Sequence, residues 1–226
     1  MNIKQNNVIE IAKEIVSEYI ENPNFSNILV AGCGLEEEVV AISTIMGAKK
    51  TLGIDINIED KIISSNVKIE KQDLTSLNID DGSIDFIYSY HVLEHVNNPE
   101  KALIEMQRVL KPYGGGVLYI GFPNRNRLIG NMGTCHNYSI SQRMKQNFID
   151  WKHKITGRFK NKYGAHAGFT EKEFLLLTNN IFSEVICVRN DYFYRKYNKK
   201  INIIKFLVKF RLSEFLFASN YFICKK

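Results

Sequence analysis

Two glycines and two acids carry the first chemical signal in this sequence. Gly32 and Gly34 turn the chain sharply after an apolar run, Ile28 to Ala31, and Asp55 follows Gly34 by 21 residues at the end of a second apolar segment, Leu52 to Ile54. Glycines allow a tight turn and close approach to a ligand, and an acid at about that separation reaches the ribose hydroxyls of a bound nucleoside. NAD, FAD and S-adenosylmethionine all contain such a nucleoside. The next residues separate them by charge, because Glu36, Glu37 and Glu38 fill the first turn of the following helix, where a dinucleotide would set its pyrophosphate. Three carboxylates repel a pyrophosphate but tolerate an adenosine whose other end bears an ammonium and a sulfonium. They also complement a helix dipole with no ligand at all. Glu37 takes the third glycine position of G-x-G-x-x-G, which spoils the dinucleotide pattern. Further on, Asp73 is placed to accept from the exocyclic amine of an adenine, or simply to close a turn.

These residues need a βαβ unit to hold them, and the hydrophobic patterning supplies one. Val8 to Ile20 reads as an amphipathic helix ahead of the first strand, with Ile11, Ile15 and Tyr19 on one side and Glu10, Glu14 and Glu18 on the other. Ile58 to Ser64 is expected as a short helix, Val67 to Glu70 as the third strand and Ser83 to Tyr88 as the fourth. Pro99 opens a helix over Glu100 to Leu110, and Gly116 to Gly121 is the fifth strand. Thr170 and Glu173 form a capping box for a helix over Phe174 to Asn179. Phe182 to Arg189 and Phe217 to Lys225 complete the strands.

Several motifs stand in unbroken order: Val30-Ala31-Gly32-Cys33-Gly34, Leu52-Gly53-Ile54-Asp55, Gln72-Asp73-Leu74, and the run from Asp81 to Leu118 through Ser89-Tyr90-His91-Val92-Leu93-Glu94-His95. Over about residues 28 to 121 the chain resembles the class I S-adenosylmethionine-dependent methyltransferases, in particular the subfamily containing the ubiquinone and menaquinone biosynthesis enzymes. The resemblance implies an α/β fold: a Rossmann-like, doubly wound sheet of seven strands in the order 3-2-1-4-5-7-6, strand seven antiparallel, with helical insertions. It implies S-adenosylmethionine as cofactor, with Gly32, Cys33 and Gly34 under its methionine part, Asp55 and Ile56 at the ribose, Asp73 and Leu74 at the adenine, and Ser89 and Tyr90 at the carboxyl end of strand four. Two positions depart from the family pattern. The acid usual two residues before the first glycine is Val30, and the third glycine of G-x-G-x-G is Glu36.

The second half of the chain bears on the acceptor. Phe122-Pro123-Asn124-Arg125-Asn126-Arg127 leaves the fifth strand at the end that faces the cofactor, which makes Asn124, Arg125 and Arg127 candidate acceptor ligands. Residues 122–169 are too long for a simple connection and read as a lid or acceptor-binding insertion, rich in both basic and aromatic side chains. A second helical insertion, about 198–216, sets Asn202, Lys205, Lys209 and Ser213 opposite Ile203, Ile204, Phe206, Leu207, Val208 and Phe210. Such a helix either packs on the sheet or lies on an anionic membrane. Methyl transfer needs alignment and exclusion of water more than elaborate catalytic groups. A hydroxyl acceptor also needs a base, and His91, His136 and His166 are the candidates, while His95 reads as a tie between strand four and its helix.

The chain of 226 residues is expected to be one domain, 1–226, with its core over about 27–121 and 170–226. Cys33, Cys135, Cys187 and Cys224 are scattered, so no metal site or disulfide framework is signalled. No apolar run is long enough to span a membrane and no signal peptide opens the chain, so the expected compartment is the cytoplasm. Charge is split: residues 1–121 hold 10 Lys/Arg against 18 Asp/Glu, and residues 122–226 hold 20 against 6. The expected function is methylation of a small acceptor at oxygen, such as a sugar, a glycan precursor or a quinone-like lipid, with an anionic acceptor suited to the basic half. Competing readings are an RNA or nucleotide methyltransferase, or a non-catalytic module that binds S-adenosylmethionine or its demethylated product. The oligomeric state is open at this level.

Overall fold

The computed structural model describes residues 3–112, 114–130, 139–161 and 166–226. Branched and aromatic runs form the middle of one sheet. There β1 (Asn27–Ala31), β5 (Phe86–Tyr90) and β6 (Val117–Pro123) are buried along nearly their whole length, as strands covered on both faces must be. With β2 (Lys50–Asp55), β3 (Lys61–Ser64), β4 (Val67–Lys71), β7 (Glu184–Cys187) and β8 (Ser219–Lys225), the order across the sheet is β3-β4-β2-β1-β5-β6-β8-β7. Without β3 this is the expected seven-stranded order, and β8 runs antiparallel to both neighbours.

The eighth strand corrects the expectation of a helix over Ile58 to Ser64. Ile62 and Ile63 are β-branched and favour extended backbone, and β3 pairs antiparallel with β4 along what would otherwise be an open edge. Its Lys61 donates to both carboxylate oxygens of Glu36, at 2.7 and 2.8 Å.

Alternation along the strands splits the interior into two layers. Val30, Tyr88, Tyr119 and Tyr221 face α1 (Ile3–Tyr19), α2 (Glu36–Met46), α6 (Arg189–Lys196) and α7 (Ile201–Lys209). Leu29, Ile87, Leu118 and Phe222 face α3 (Pro99–Val109) and α5 (Glu171–Thr178). Caps set the helix starts. Asn98 accepts from the Lys101 amide before α3, and the Thr170–Glu173 capping box opens α5 as its sequence predicts. The sequence does not reveal α6, which follows directly from β7.

Within the first insertion, α4 (Ile140–Ile155) is opened by a capping box between Ser139 and Gln142. The insertion is closed at its base, where the Phe169 amide donates to Pro123 O at 3.1 Å and the Arg125 amide to Phe169 O at 3.3 Å. Gly168 makes that closure possible. Its φ is 72°, and a Cβ there would lie 1.8 Å from Pro123 O. After α7 a short α8 (Ser213–Leu216) leads into β8.

Candidate functional site

Backbone bonds lash the exit of β1 to the exit of β2, because the Gly32 and Cys33 amides both donate to Ile54 O, at 2.8 and 3.0 Å. Gly32 has φ of 72°, and a Cβ on it would lie 2.3 Å from the Val92 side chain. Gly34 has φ of 55° but open space where its Cβ would be. The Gly34 amide donates to Asp55 Oδ2 at 3.2 Å, and the Asn57 amide to Oδ1 at 2.9 Å. Gly32, Gly34, Asp55 and the exposed Ile56 are thus brought together at the carboxyl ends of β1 and β2. Cys33 differs. The residue is buried, its amide is taken by Ile54 O, and burial, with the Asp55 charge second, pushes the thiol up to about 12.

Other predicted cofactor contacts are less available. Asp73 Oδ1 accepts from both the amide and the hydroxyl of Thr75, at 2.8 and 2.9 Å, and these bonds lower its pKa, the amide most. The acid closes a turn beyond β4, and Leu74 beside it is buried. Ser89 is fully buried and its hydroxyl has no hydrogen-bond partner, so as the chain stands it offers no surface to a cofactor. Glu36 is neutralised by Lys61, so the start of α2 repels an anion less than three unpaired carboxylates would. Val30 sits in the sheet between Gly53 and Tyr88, where an acid would be buried without evident donors.

The exit of β5 delivers the catalytic candidates. Tyr90 is half-buried, its ring edge-on to that of His91 at 4.3 Å and stacked on Tyr221 at 6.2 Å. His91 takes a left-handed φ of 57°, held by its amide donating to Gly121 O at 2.8 Å. His91 Nδ1 lies 3.3 Å from Glu94 Oε1, and its Nε2 lies 3.4 Å from Ser219 Oγ. Glu94 is 4% exposed, and neither of its oxygens has a hydrogen-bond partner. The His91 approach is therefore an ion-pair distance that misses hydrogen-bond direction. His95 Nε2 stands 3.9 Å from the same oxygen, and the His95 and His166 rings meet edge-on at 4.6 Å. One buried carboxylate thus gathers the imidazoles of His91 and His95, with that of His166 behind them. Burial, then His95, lowers the His166 pKa. His136 lies outside the described residues. Glu94 is the member that sequence analysis misses, although His91-Val92-Leu93-Glu94-His95 puts an acid between two imidazoles in little more than one helical turn. Among the described residues no three His, Cys, Asp or Glu side chains are grouped as metal ligands would be.

The three acceptor candidates are corrected. Asn124 is 1% exposed and donates to the carbonyls of Glu214 and Phe217, at 2.8 and 3.0 Å. Arg127 is buried. It pairs with Asp150 at 3.4 Å and donates to the carbonyls of Asn124, His166 and Ala167 at 3.1 to 3.2 Å. Arg125 is tied to Glu173 and to Gly168 O. Arg125 and Arg127 hold the insertion to the sheet and Asn124 holds the segment before β8, since polar side chains at a crowded strand end are taken up by the backbone groups they must satisfy. A groove of about 720 Å³ opens nearby, lined by Asn124, Asn126, Lys172, Leu175, Arg189 and Glu214 among others, on the α5 side and not over the glycine turn.

Residues 29–120 match the family model described as Methyltransferase domain. The matched span is similar to class I S-adenosylmethionine-dependent methyltransferases and contains the glycine turn and Asp55. Over 89 residues the chain is 39% identical to the ubiquinone/menaquinone biosynthesis C-methyltransferase UbiE of Idiomarina loihiensis, covering 39% of this chain and 34% of that protein. A 37.1 kDa protein in a Streptomyces fradiae transposon is 44% identical over 62 residues, 27% of this chain and 17% of its own. The chain thus spans about a third or less of the length of these curated relatives. The fold is shared with a Haemonchus contortus phosphoethanolamine N-methyltransferase solved with S-adenosylhomocysteine, at TM-score 0.56 and 14% identity over 95% of this chain and 52% of that one. It is also shared with the YcgJ protein of Bacillus subtilis, at 0.56 and 13% over 95% and 97%.

Proposed function

We propose that the protein methylates a small-molecule acceptor at oxygen, with S-adenosylmethionine as donor and His91 as the base. S-adenosylmethionine supplies an electrophilic methyl group on a sulfonium. The glycine turn supports that reading: Gly34 leaves open space, and Asp55, bonded to the Gly34 amide, would hold the ribose. One observation carries the reading. Val92 packs directly on Gly32, so His91 stands one residue from the contact between the exit of β5 and the cofactor turn. His91 Nε2 already faces one hydroxyl, that of Ser219, and takes the acceptor's proton as the O–C bond forms and the S–C bond breaks. Glu94 carries the counter-charge for the imidazolium. Of the acceptor classes that the chain suggests, a quinone-like lipid fits better than a sugar, because α4, attached through Arg127 at the exit of β6, exposes apolar side chains.

Calorimetry tests the donor: S-adenosylhomocysteine is expected to bind and NAD is not. Asp55→Ala should weaken that binding by about 1 to 3 kcal/mol, the loss of a charged acceptor. Tighter binding of NAD would overturn the reading, and an unchanged affinity in Asp55→Ala would place the ribose elsewhere. Transfer of labelled methyl into a quinol-containing lipid phase tests the acceptor, and label recovered only in water-soluble sugars would exclude the lipid.

A further inference from the structure

Helix α4 is built inside out. Its buried residues are Asn147 and Asp150, which hold the Gly130 amide and the Arg127 guanidinium. Its apolar residues Ile140, Met144, Phe148, Trp151 and Ile155 follow at helical spacing along the adjoining face and are 79, 57, 61, 41 and 87% exposed. A helix that merely packed would turn that stripe inward. About 24 Å of helix therefore presents a continuous apolar ridge to its surroundings.

The second insertion extends this face. In α7 only Ile204 is buried, and Ile203, Phe206 and the C-capping Phe210 remain 57, 54 and 57% exposed. Leu128 links α4 to α8, the short helix that follows and touches α7: its amide donates to Phe215 O at 2.7 Å and its carbonyl accepts from Trp151 Nε1 at 2.6 Å. Leu128, Trp151 and Phe215, all at least 41% exposed, thereby stay side by side. The charge around this face has one sign. Residues 139–161 carry six Lys/Arg against a single acid, Asp150, which is buried against Arg127, and residues 196–212 carry six Lys/Arg and no acid.

We propose that the α4–α7 face docks on an anionic lipid bilayer, with the apolar ridge entering the interface and the lysines and arginines meeting lipid phosphates. A protein partner of matching shape would need an acidic rim around an apolar centre. A bilayer of anionic lipids supplies both by its nature. The proposal goes beyond methyl transfer and stands without it. If both hold, the acceptor reaches the site from the membrane.

Co-sedimentation of the full chain with phosphatidylcholine vesicles, with and without about one-third phosphatidylserine, tests it. Binding is expected to the anionic vesicles only, and to fall as salt rises. Replacing Lys205 and Lys209 together by Gln should weaken it about thirtyfold. Phe148→Glu with Phe206→Glu should abolish it while thermal unfolding and S-adenosylhomocysteine binding stay unchanged, which separates this proposal from the methyltransferase reading. Equal binding to neutral vesicles would overturn it. So would vesicle binding by the double Glu variant, or a wild-type dimer that fails to bind vesicles and is dispersed by that variant.

Discussion

Arg127 and Asp150 show how a single residue changes meaning when its surroundings are known. As part of a basic strand end, Arg127 suggests an anion ligand, yet both members of the pair are 8% exposed in their side chains. Asp150→Ala is expected to destabilise the protein by about 3 to 5 kcal/mol in urea unfolding, because it leaves a buried guanidinium uncompensated. Arg127→Met combined with Asp150→Leu should cost much less. A cost below about 1 kcal/mol for Asp150→Ala would mean that the guanidinium is solvated and free to act as a ligand. His91 carries a different kind of expectation. His91→Gln should lower kcat by roughly two to four orders of magnitude with cofactor affinity kept, a loss that higher pH partly restores. An unchanged kcat would remove His91 as base. The left-handed backbone at His91 and at His166 is consistent with positions held for more than packing.

Among elements, the base of the first insertion is the place where backbone geometry has most consequence. Gly168 is held by the Asn161 side chain at both its amide and its carbonyl, at 2.8 and 3.2 Å, and a Cβ there would collide with main chain that has no room to yield. Gly168→Ala is therefore expected to cost about 2 to 4 kcal/mol and to loosen α4 from the sheet, read as a lowered Tm and faster proteolysis within residues 139–161. Gly34→Ala offers the contrast. Its φ is also positive but the space is open, so the stability loss should stay near 1 kcal/mol while cofactor affinity falls. Equal losses at the two positions would show that φ alone, and not the collision, sets the cost. β3 belongs to this scale too, since it brings Lys61 to the first turn of α2 and neutralises Glu36.

Across the whole molecule, the acidic first half and basic second half are knitted together by Arg195 of α6, which pairs with Glu14 and Glu18 of α1. Arg125, Arg127 and Arg189 are likewise engaged inside the second half, and most of its other lysines and arginines fall within residues 139–161 and 196–212. Stability should also depend on pH through His166. Burial and His95 hold its folded pKa below the ordinary 6.5, so between the two values the unfolded chain binds more protons than the folded one. Stability is then unaffected above about pH 7 and falls as pH drops through 6.5 toward the folded pKa. Denaturation midpoints between pH 5 and 8 check this. His166→Asn should flatten that part of the profile, and an unchanged slope would assign it to other groups.

Much of the core was legible in local sequence. Strands buried on both faces need long apolar runs, the glycine turn needs residues that tolerate positive φ, and an acid 21 residues on needs only a βαβ unit of ordinary length, so β1, α2, β2 and Asp55 could be read directly. Capping boxes, being short-range, located the start of α5 in the same way. Tertiary structure alone decided the rest, because it depends on contacts between distant segments. The short Ile62–Ile63 stretch becomes a strand only because the edge of β4 stands open beside it. Arg125 and Arg127 become internal ties only because the insertion folds back on β6 at Gly168, and Asn124 only because the segment before β8 lies against the end of β6. Glu94 meets His91 and His95 locally, but Ser219 and His166 join those imidazoles only because β8 and the end of the insertion reach the exit of β5. The direction of the α4 stripe was decided there as well. Periodicity defines an apolar side of a helix, but which side meets the protein depends on the buried Arg127–Asp150 pair, formed across 23 residues of chain.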